Sequence, residues 1–188
     1  MGFLFTEIAT SRLVLRSLRI EDADAFLAYR SKPEVAEYQT WKPRVKQEIL
    51  RFIARQKRIA PGTPNTWMQL AVCRKKTAEM IGDCGIHFLP PDARQVEIGF
   101  TIKPGHQRKG YGTEVATALL DYAFGALSVH RVCASVDPAN AASIALLKRI
   151  GMRQEAHFRK SLLIDGRWVD DVVFALLDEE WEKGRRSN

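Results

Sequence analysis

The chain has 188 residues, 46% of them hydrophobic, and 29 Lys and Arg against 22 Asp and Glu give a formal net charge of +7. That is enough chain for one domain, residues 1–188 with a core of about 10–181, and no Pro/Gly/Ser-rich linker, repeat or low-complexity block marks a second. No segment approaches the ~20 apolar residues that cross a bilayer, and the opening Met1-Gly-Phe-Leu-Phe-Thr-Glu lacks a basic region and a long apolar run, so a cytoplasmic protein with no membrane partner is expected.

Taken in chain order, Leu13–Leu15 reads as a first strand, and Glu21-Asp22-Ala-Asp24 opens a helix through Tyr29, its carboxylates suited to the positive end of the helix dipole. A second helix is expected from about Val45 to Ile59. Met68–Cys73 and Met80–Phe88 form strands joined by the basic turn Arg74-Lys75-Lys76-Thr77, and Pro90-Pro91-Asp92 ends that hairpin. In Val96–Ile102 the residues alternate, placing Val96, Ile98, Phe100 and Ile102 on one face and Glu97, Gly99 and Thr101 on the other, with Gly99 suggesting a bulge. A helix from Thr113 to Phe124 and a strand from Val129 to Val136 complete a strand–helix–strand unit. Ala141–Ile150 is a further helix closed by Gly151, and the strands Arg153–Leu163 and Trp168–Leu177 are joined by the hairpin signal Asp165-Gly166. The expected product is a mixed α+β fold, a sheet with helices on both faces.

The basic runs Arg55-Gln-Lys57-Arg58, Arg74-Lys75-Lys76 and Arg185-Arg186 are short and not interleaved with aromatics. They read as solvated surface rather than a specific nucleic-acid platform, although the net positive field would steer a polyphosphate ligand or an RNA-rich particle toward the protein. Cys73, Cys84 and Cys133 form no Cys-x-x-Cys pair and read as reduced, buried small hydrophobes. His87, His106, His130 and His157 fall one per segment, so no metal site is expected.

The most informative stretch is Gln107-Arg108-Lys109-Gly110-Tyr111-Gly112-Thr113-Glu114, between the strand ending at Ile102 and the following helix. Gly110 and Gly112 let the backbone turn tightly and approach a ligand, while the unpaired N–H groups that open a helix carry its positive dipole end, which together describe a pyrophosphate cradle. Thr113 offers a hydroxyl, and Arg108 and Lys109 either contact phosphates or stay solvated. A Walker loop fails because Tyr111 and Gly112 stand where Lys and Ser/Thr are needed, and a dinucleotide fingerprint fails because Val115 replaces its third glycine.

Gln107-x-x-Gly110-x-Gly112 closely resembles the donor-binding loop of the GNAT superfamily of acyl-CoA N-acyltransferases. The likeness extends through Thr10-Ser11-Arg12-Leu13-Val14-Leu15-Arg16 with Glu21-Asp22, then Asn140-Ala-Ala-Ser143-Ile-Ala-Leu-Leu-Lys148-Arg-Ile-Gly151-Met152, then Gly166-Arg167-Trp168-Val169-Asp170. These are successive landmarks of a branch that includes the N-terminal acetyltransferases of ribosomal proteins. The resemblance implies a central, mostly antiparallel splayed sheet and acetyl-CoA as co-substrate. In that family the strand matched by Val96–Ile102 splays from the strand matched by Val132–Val136, and the pantetheine arm pairs with its backbone. The implied donor-binding residues are therefore Phe100, Thr101, Ile102, Gln107, Arg108, Lys109, Gly110, Tyr111, Gly112, Thr113 and Asn140.

The chemistry requires a base for the incoming ammonium and a hydrogen bond for the departing thiolate. Glu97, on the polar face of the donor strand, is the candidate base, directly or through a water; the alternative is a solvent-facing or paired carboxylate. Many family members carry a tyrosine acid near the position of Leu147. This chain has none there, and the resemblance implies Ser143 as the substitute, against a first-turn serine satisfying local backbone. Asn140 reads as a pantetheine contact, a helix cap, or both. Glu114 is explained by the helix dipole and is left out of catalysis. Tyr38, Trp41 and Trp168 lie in segments that shape the acceptor pocket in related enzymes. The acceptor implied is a primary amine, either a protein N-terminus with a ribosomal substrate or a small amine such as a polyamine or aminoglycoside, and a non-catalytic CoA sensor is the rival. The final strands are candidates to pair across a homodimer.

Overall fold

A computed structural model describes residues 5–186. Its strands are β1 (Glu7–Ala9), β2 (Leu13–Ser17), β3 (Thr66–Arg74), β4 (Met80–Phe88), β5 (Gln95–Ile102), β6 (Arg131–Val136), β7 (Arg153–Ile164) and β8 (Arg167–Leu177), and its helices are α1 (Ala23–Arg30), α2 (Pro33–Ala36), α3 (Lys46–Gln56), α4 (Tyr111–Asp121), α5 (Ala141–Arg149) and α6 (Asp178–Arg186). All eight strands join one sheet in the order β1-β2-β3-β4-β5-β6-β8-β7. Among the described residues only the β5–β6 pair is parallel, as the strand–helix–strand crossover through α4 requires.

The alternation read in β5 decides which side each residue serves. Val96, Ile98 and Ile102 are buried in the larger core cluster with Val115 and Leu119 of α4. On the opposite face, α1 and α3 bury Phe26, Tyr29, Ile49 and Ile53 against Ala71 and Cys73 of β3. Both sheet faces are thus covered over its middle strands, the arrangement expected of a layered α+β fold, whereas Phe158, Leu162 and Leu163 of β7 and Trp168 of β8 stay exposed.

Hairpin signals proved reliable. Asp165 (φ 49°) and Gly166 (φ 76°) both take the left-handed conformation that a tight two-residue β-hairpin requires, and Gly151 (φ 90°) follows α5 as its C′ residue. Several expectations need correction. No bulge lies at Gly99: β4 and β5 stay in register from Gly82↔Ile102 to Phe88↔Val96, with Gly85 opposite Gly99. A Cβ on Gly85 would meet Gln69 Oε1 at 2.5 Å and Trp67 Cε3 at 3.1 Å, and one on Gly99 would touch the same indole at 3.8 Å. The two glycines make a trough in which the Trp67 ring lies.

The cradle helix begins at Tyr111, two residues before expectation, because Gly110 turns the chain at φ 79° and takes the N-cap position. It ends in a wider turn at Tyr122–Ala126, closed by Leu127 N–H donating to the Tyr122 carbonyl at 3.1 Å. Strand β6 starts at Arg131 rather than Val129, since Val129 and His130 donate instead to the Ala123 and Arg94 carbonyls. The elements β1, α2 and α6 were not foreseen. Of the cysteines, all free, Cys73 and Cys84 are buried but Cys133 is only half-buried.

Candidate active site

Sheet pairing creates the site. Parallel pairing of β5 with β6 runs through Gln95↔Arg131 and Val96↔Val132 and stops at Glu97↔Cys133. Beyond it β5 continues along β4 to Ile102, while β6 continues along β8 to Val136↔Val172. A fork opens between them, with a cavity of about 820 Å³ whose wall includes Glu97, Phe100, Thr101, Ser135, Asn140 and Ser143.

Glu97 stands at the crotch of the fork. Burial, and then the nearby Asp171 carboxylate, raise its pKa above the usual carboxylate value, with the Ser135 backbone N–H pulling the other way. Asp171 is itself 8% exposed and accepts a hydrogen bond from Ser135 Oγ at 2.6 Å. A carboxylate raised by desolvation is a stronger proton acceptor, which is what a base for an ammonium needs.

The cradle lies at the C-terminal end of β5, outside the wall of that cavity. The N–H groups of Gly112 and Thr113 make no hydrogen bond to protein among the described residues, and α4 has no side-chain cap. Such a helix start is a ready anion site. A Cβ on Gly112 would stand 2.9 Å from Leu146 Cδ1 of α5 and 4.0 Å from Phe100 Cε2, so this glycine lets α4 close on α5 and joins the cradle to the fork. Gln107 donates from Nε2 to the Ile102 carbonyl at 2.9 Å, fixing the end of β5, and Lys109 Nζ is held by the Gly105 carbonyl at 2.8 Å. Arg108 is exposed with φ 58°.

Asn140 caps α5, its Oδ1 accepting from Ser143 N–H at 3.1 Å. Ser143 lines the cavity, and its hydroxyl makes no hydrogen bond to protein among the described residues, unlike that of Ser31, which donates to the carbonyl one turn back. Leu147, buried, is part of the same wall and carries no proton to give. Phe100 packs among α4 and α5 through its side chain, leaving its backbone along the fork. Tyr38 and Trp41 line the cavity, Trp41 also stacking on Phe52 at 4.4 Å; Trp168 does not line it and is 60% exposed.

Three features escaped the sequence reading. Trp67 stacks on His87, ring centroids 4.9 Å apart and planes at 10°. Asp83, fully buried, accepts from Tyr29 Oη, Gln69 Nε2 and Arg30, whose Nε lies at 3.1 Å, and Arg30 Nη1 donates to Gln39 Oε1 at 2.6 Å. Glu114 does more than answer a helix dipole: it accepts from Thr10 Oγ1 (2.5 Å), Ser11 Oγ (3.0 Å), Arg12 N–H (2.8 Å) and Arg12 Nε (2.6 Å). Arg12 then reaches the Lys109 carbonyl at 3.0 Å and lies over the Tyr111 ring at 4.4 Å. The segment before β2 is thereby pinned to the cradle.

Although burial opposes it, the hydrogen bonds from Thr10 and Arg12 hold the Glu114 pKa below its usual value. Its stabilisation is therefore full above the ordinary carboxylate range and is lost as pH falls through the lowered folded value. Glu114→Ala is expected to cost about 2 kcal/mol at neutral pH, seen as a melting temperature lower by ~4–8 °C, the deficit shrinking in acid. An unchanged melting temperature would show the clamp to be energetically idle.

Residues 12–153 match the model of the acetyltransferase (GNAT) domain. Over 174 residues, 92% of this chain and 96% of the relative, the sequence is 32% identical to the uncharacterized N-acetyltransferase p20 of Bacillus licheniformis. Over 88 residues, 47% of this chain and 45% of the relative, it is 38% identical to the [ribosomal protein uS5]-alanine N-acetyltransferase of Escherichia coli K12. The crystal structure of a GNAT-family acetyltransferase from Bacillus anthracis, 26% identical, matches 93% of this chain and 100% of its own with a TM-score of 0.83.

Proposed function

The chain belongs to the GNAT acetyltransferase family and is an N-acetyltransferase; from that premise we propose that it moves an acetyl group from acetyl-CoA directly to a primary amine, with a protein N-terminus as the acceptor and no acyl-enzyme. The observation that carries this reading is the fork beyond Glu97↔Cys133, with an uncapped helix start at its far end and a half-buried carboxylate at its crotch.

The residues fit the donor. Gly110 and Gly112 leave the start of α4 bare, its free N–H groups suit the pyrophosphate, and the backbone of Phe100–Ile102 has no strand partner on the β6 side to compete with a pantetheine arm. Bound acetyl-CoA supplies the activated acetyl group. Glu97 accepts the ammonium proton, directly or through one water, which frees the amine to attack. Ser143 offers its hydroxyl to the sulfur as the thiolate departs. Cys133, the thiol nearest Glu97, has its pKa pushed up to about 11, first by burial and then by Glu97, so it is no nucleophile at neutral pH.

Two considerations favour a protein N-terminus. A chain terminus, which ordinarily titrates at ~7.7–8.0 against ~10.4 for lysine, yields its proton more easily. The half-chain identity to an enzyme named for the alanine of a ribosomal protein points the same way. The test is thiol release from acetyl-CoA against peptides with varied N-termini, polyamines and aminoglycosides, with donor binding followed by calorimetry. Turnover on peptides with free N-termini alone is the expected result; turnover on a small amine alone would reassign the acceptor, and binding without any turnover would favour a sensor. Ser143→Ala is expected to slow turnover about tenfold with donor affinity kept, and full activity in that variant would remove Ser143 from the mechanism.

A further inference from the structure

His87 is absent from the cavity wall, yet it is placed directly beside the candidate base. The two residues are paired across β4 and β5, His87↔Glu97, with side chains on the same sheet face and His87 Nδ1 3.7 Å from Glu97 Oε2. The ring has little freedom, because Trp67, itself seated in the Gly85–Gly99 trough, stacks flat against it. The His87 side chain remains 20% exposed. From this geometry we propose that His87 is the proton outlet of the site: it takes from Glu97 the proton that Glu97 removes from the acceptor ammonium, and passes it to solvent. The inference rests on Glu97 being the base.

The transfer balances. The acceptor nitrogen loses a proton and keeps the electron pair that attacks the thioester. The Glu97 carboxyl hands that proton to the Nδ1 lone pair of a neutral imidazole, and the imidazolium gives a proton to water or buffer, restoring carboxylate and neutral ring. Separations in a free enzyme run longer than in the reacting complex, and 3.7 Å closes to hydrogen-bond reach with a small side-chain rotation. The energetics agree: burial lowers the His87 pKa while burial and Asp171 raise that of Glu97, so donor and acceptor approach each other. Cys133 and Ser135 of β6 and Asp171 of β8 stand nearest the pair, and the cavity wall also carries the charged side chains of Arg30, Glu37, Lys42, Arg55, Asp137, Asp165, Arg167 and Asp170. The Glu97 side chain is itself 27% exposed and lines the cavity, so an acceptor seated there closes its own way to water, whereas His87, outside the cavity wall, keeps a second route open.

The test is buffer dependence. In dilute buffer, His87→Gln is expected to lower kcat about tenfold with donor and acceptor KM nearly unchanged, to lose the imidazole's titration from the pH profile, and to recover with added imidazole, to which the wild type is indifferent. His87→Asn, read the same way, serves if the glutamine variant folds poorly. A kcat within about twofold of wild type, or a loss that imidazole never restores, overturns the proposal. Glu97→Gln run in parallel keeps the two ideas apart: activity retained there removes the base itself, whereas a slow Glu97→Gln beside a fully active His87→Gln removes only the outlet.

Discussion

Glu97→Gln is expected to slow acetyl transfer by about 10²-fold or more while leaving acetyl-CoA affinity within about twofold of wild type, because the substitution keeps the side chain's shape and removes only its capacity to take a proton. The pH dependence gives the signature. With the carboxyl pKa raised by burial and by Asp171, wild-type kcat/KM climbs with pH through a limb above the ordinary carboxylate range. The glutamine variant loses that limb and follows the ionisation of the amine alone. The gap between the two enzymes therefore narrows at high pH, where the acceptor arrives already deprotonated. A variant with wild-type turnover at neutral pH would remove Glu97 as the base.

The same substitution has a stability consequence of opposite sign. A carboxyl whose folded pKa lies above its unfolded value binds its proton more tightly in the native state, so stability falls as pH rises through that interval. Wild type bears this cost at neutral pH and the variant does not. Glu97→Gln is thus expected to melt no lower than wild type at neutral pH, with any advantage vanishing in acid. Lower activity with equal or greater stability separates a functional carboxylate from a structural one.

What could be read from the sequence follows from the range of the interactions. The glycine turn into α4 and the Asp165-Gly166 hairpin were legible because each is written in a few adjacent residues whose backbone demands are local. The face to which Glu97 belongs was legible from strand alternation alone. Gly99 was misread because a lone glycine in a strand has two explanations, and choosing between them required knowing that Gly85 stands opposite and that Trp67 fills the gap. Glu114 shows the same limit: its position in a first turn sufficed to explain it, while its partners lie about a hundred residues earlier. His87, Trp67 and Asp171 carry no spacing signal toward Glu97, since each comes from a different strand and only sheet register unites them.

Asp83 is the extreme case of that kind, the one acidic residue of a mostly apolar strand, with nothing nearby in sequence to explain it. Its carboxylate is fully buried and shared among Tyr29, Arg30 and Gln69, and the Arg30 side chain is 8% exposed. Burial works against the Arg30 charge, but Asp83 outweighs it and holds the guanidinium protonated. Removing one partner strands the other, so Asp83→Ala is expected to cost about 3–5 kcal/mol, a fall of ~10 °C or more in melting temperature. The penalty belongs mainly to the orphaned guanidinium. Asp83→Leu combined with Arg30→Met should accordingly be more stable than Asp83→Ala, although it discards more polar contacts. The network also reaches the cavity, because Arg30 carries Gln39, and Gln39 lies in the stretch Glu37–Lys42 of its wall. The repaired double variant should then regain stability but keep a raised acceptor KM, since a methionine thioether offers Gln39 no donor. Recovery of both would show that the network only holds the fold; recovery of neither would show that the ion pair is not where the energy lies.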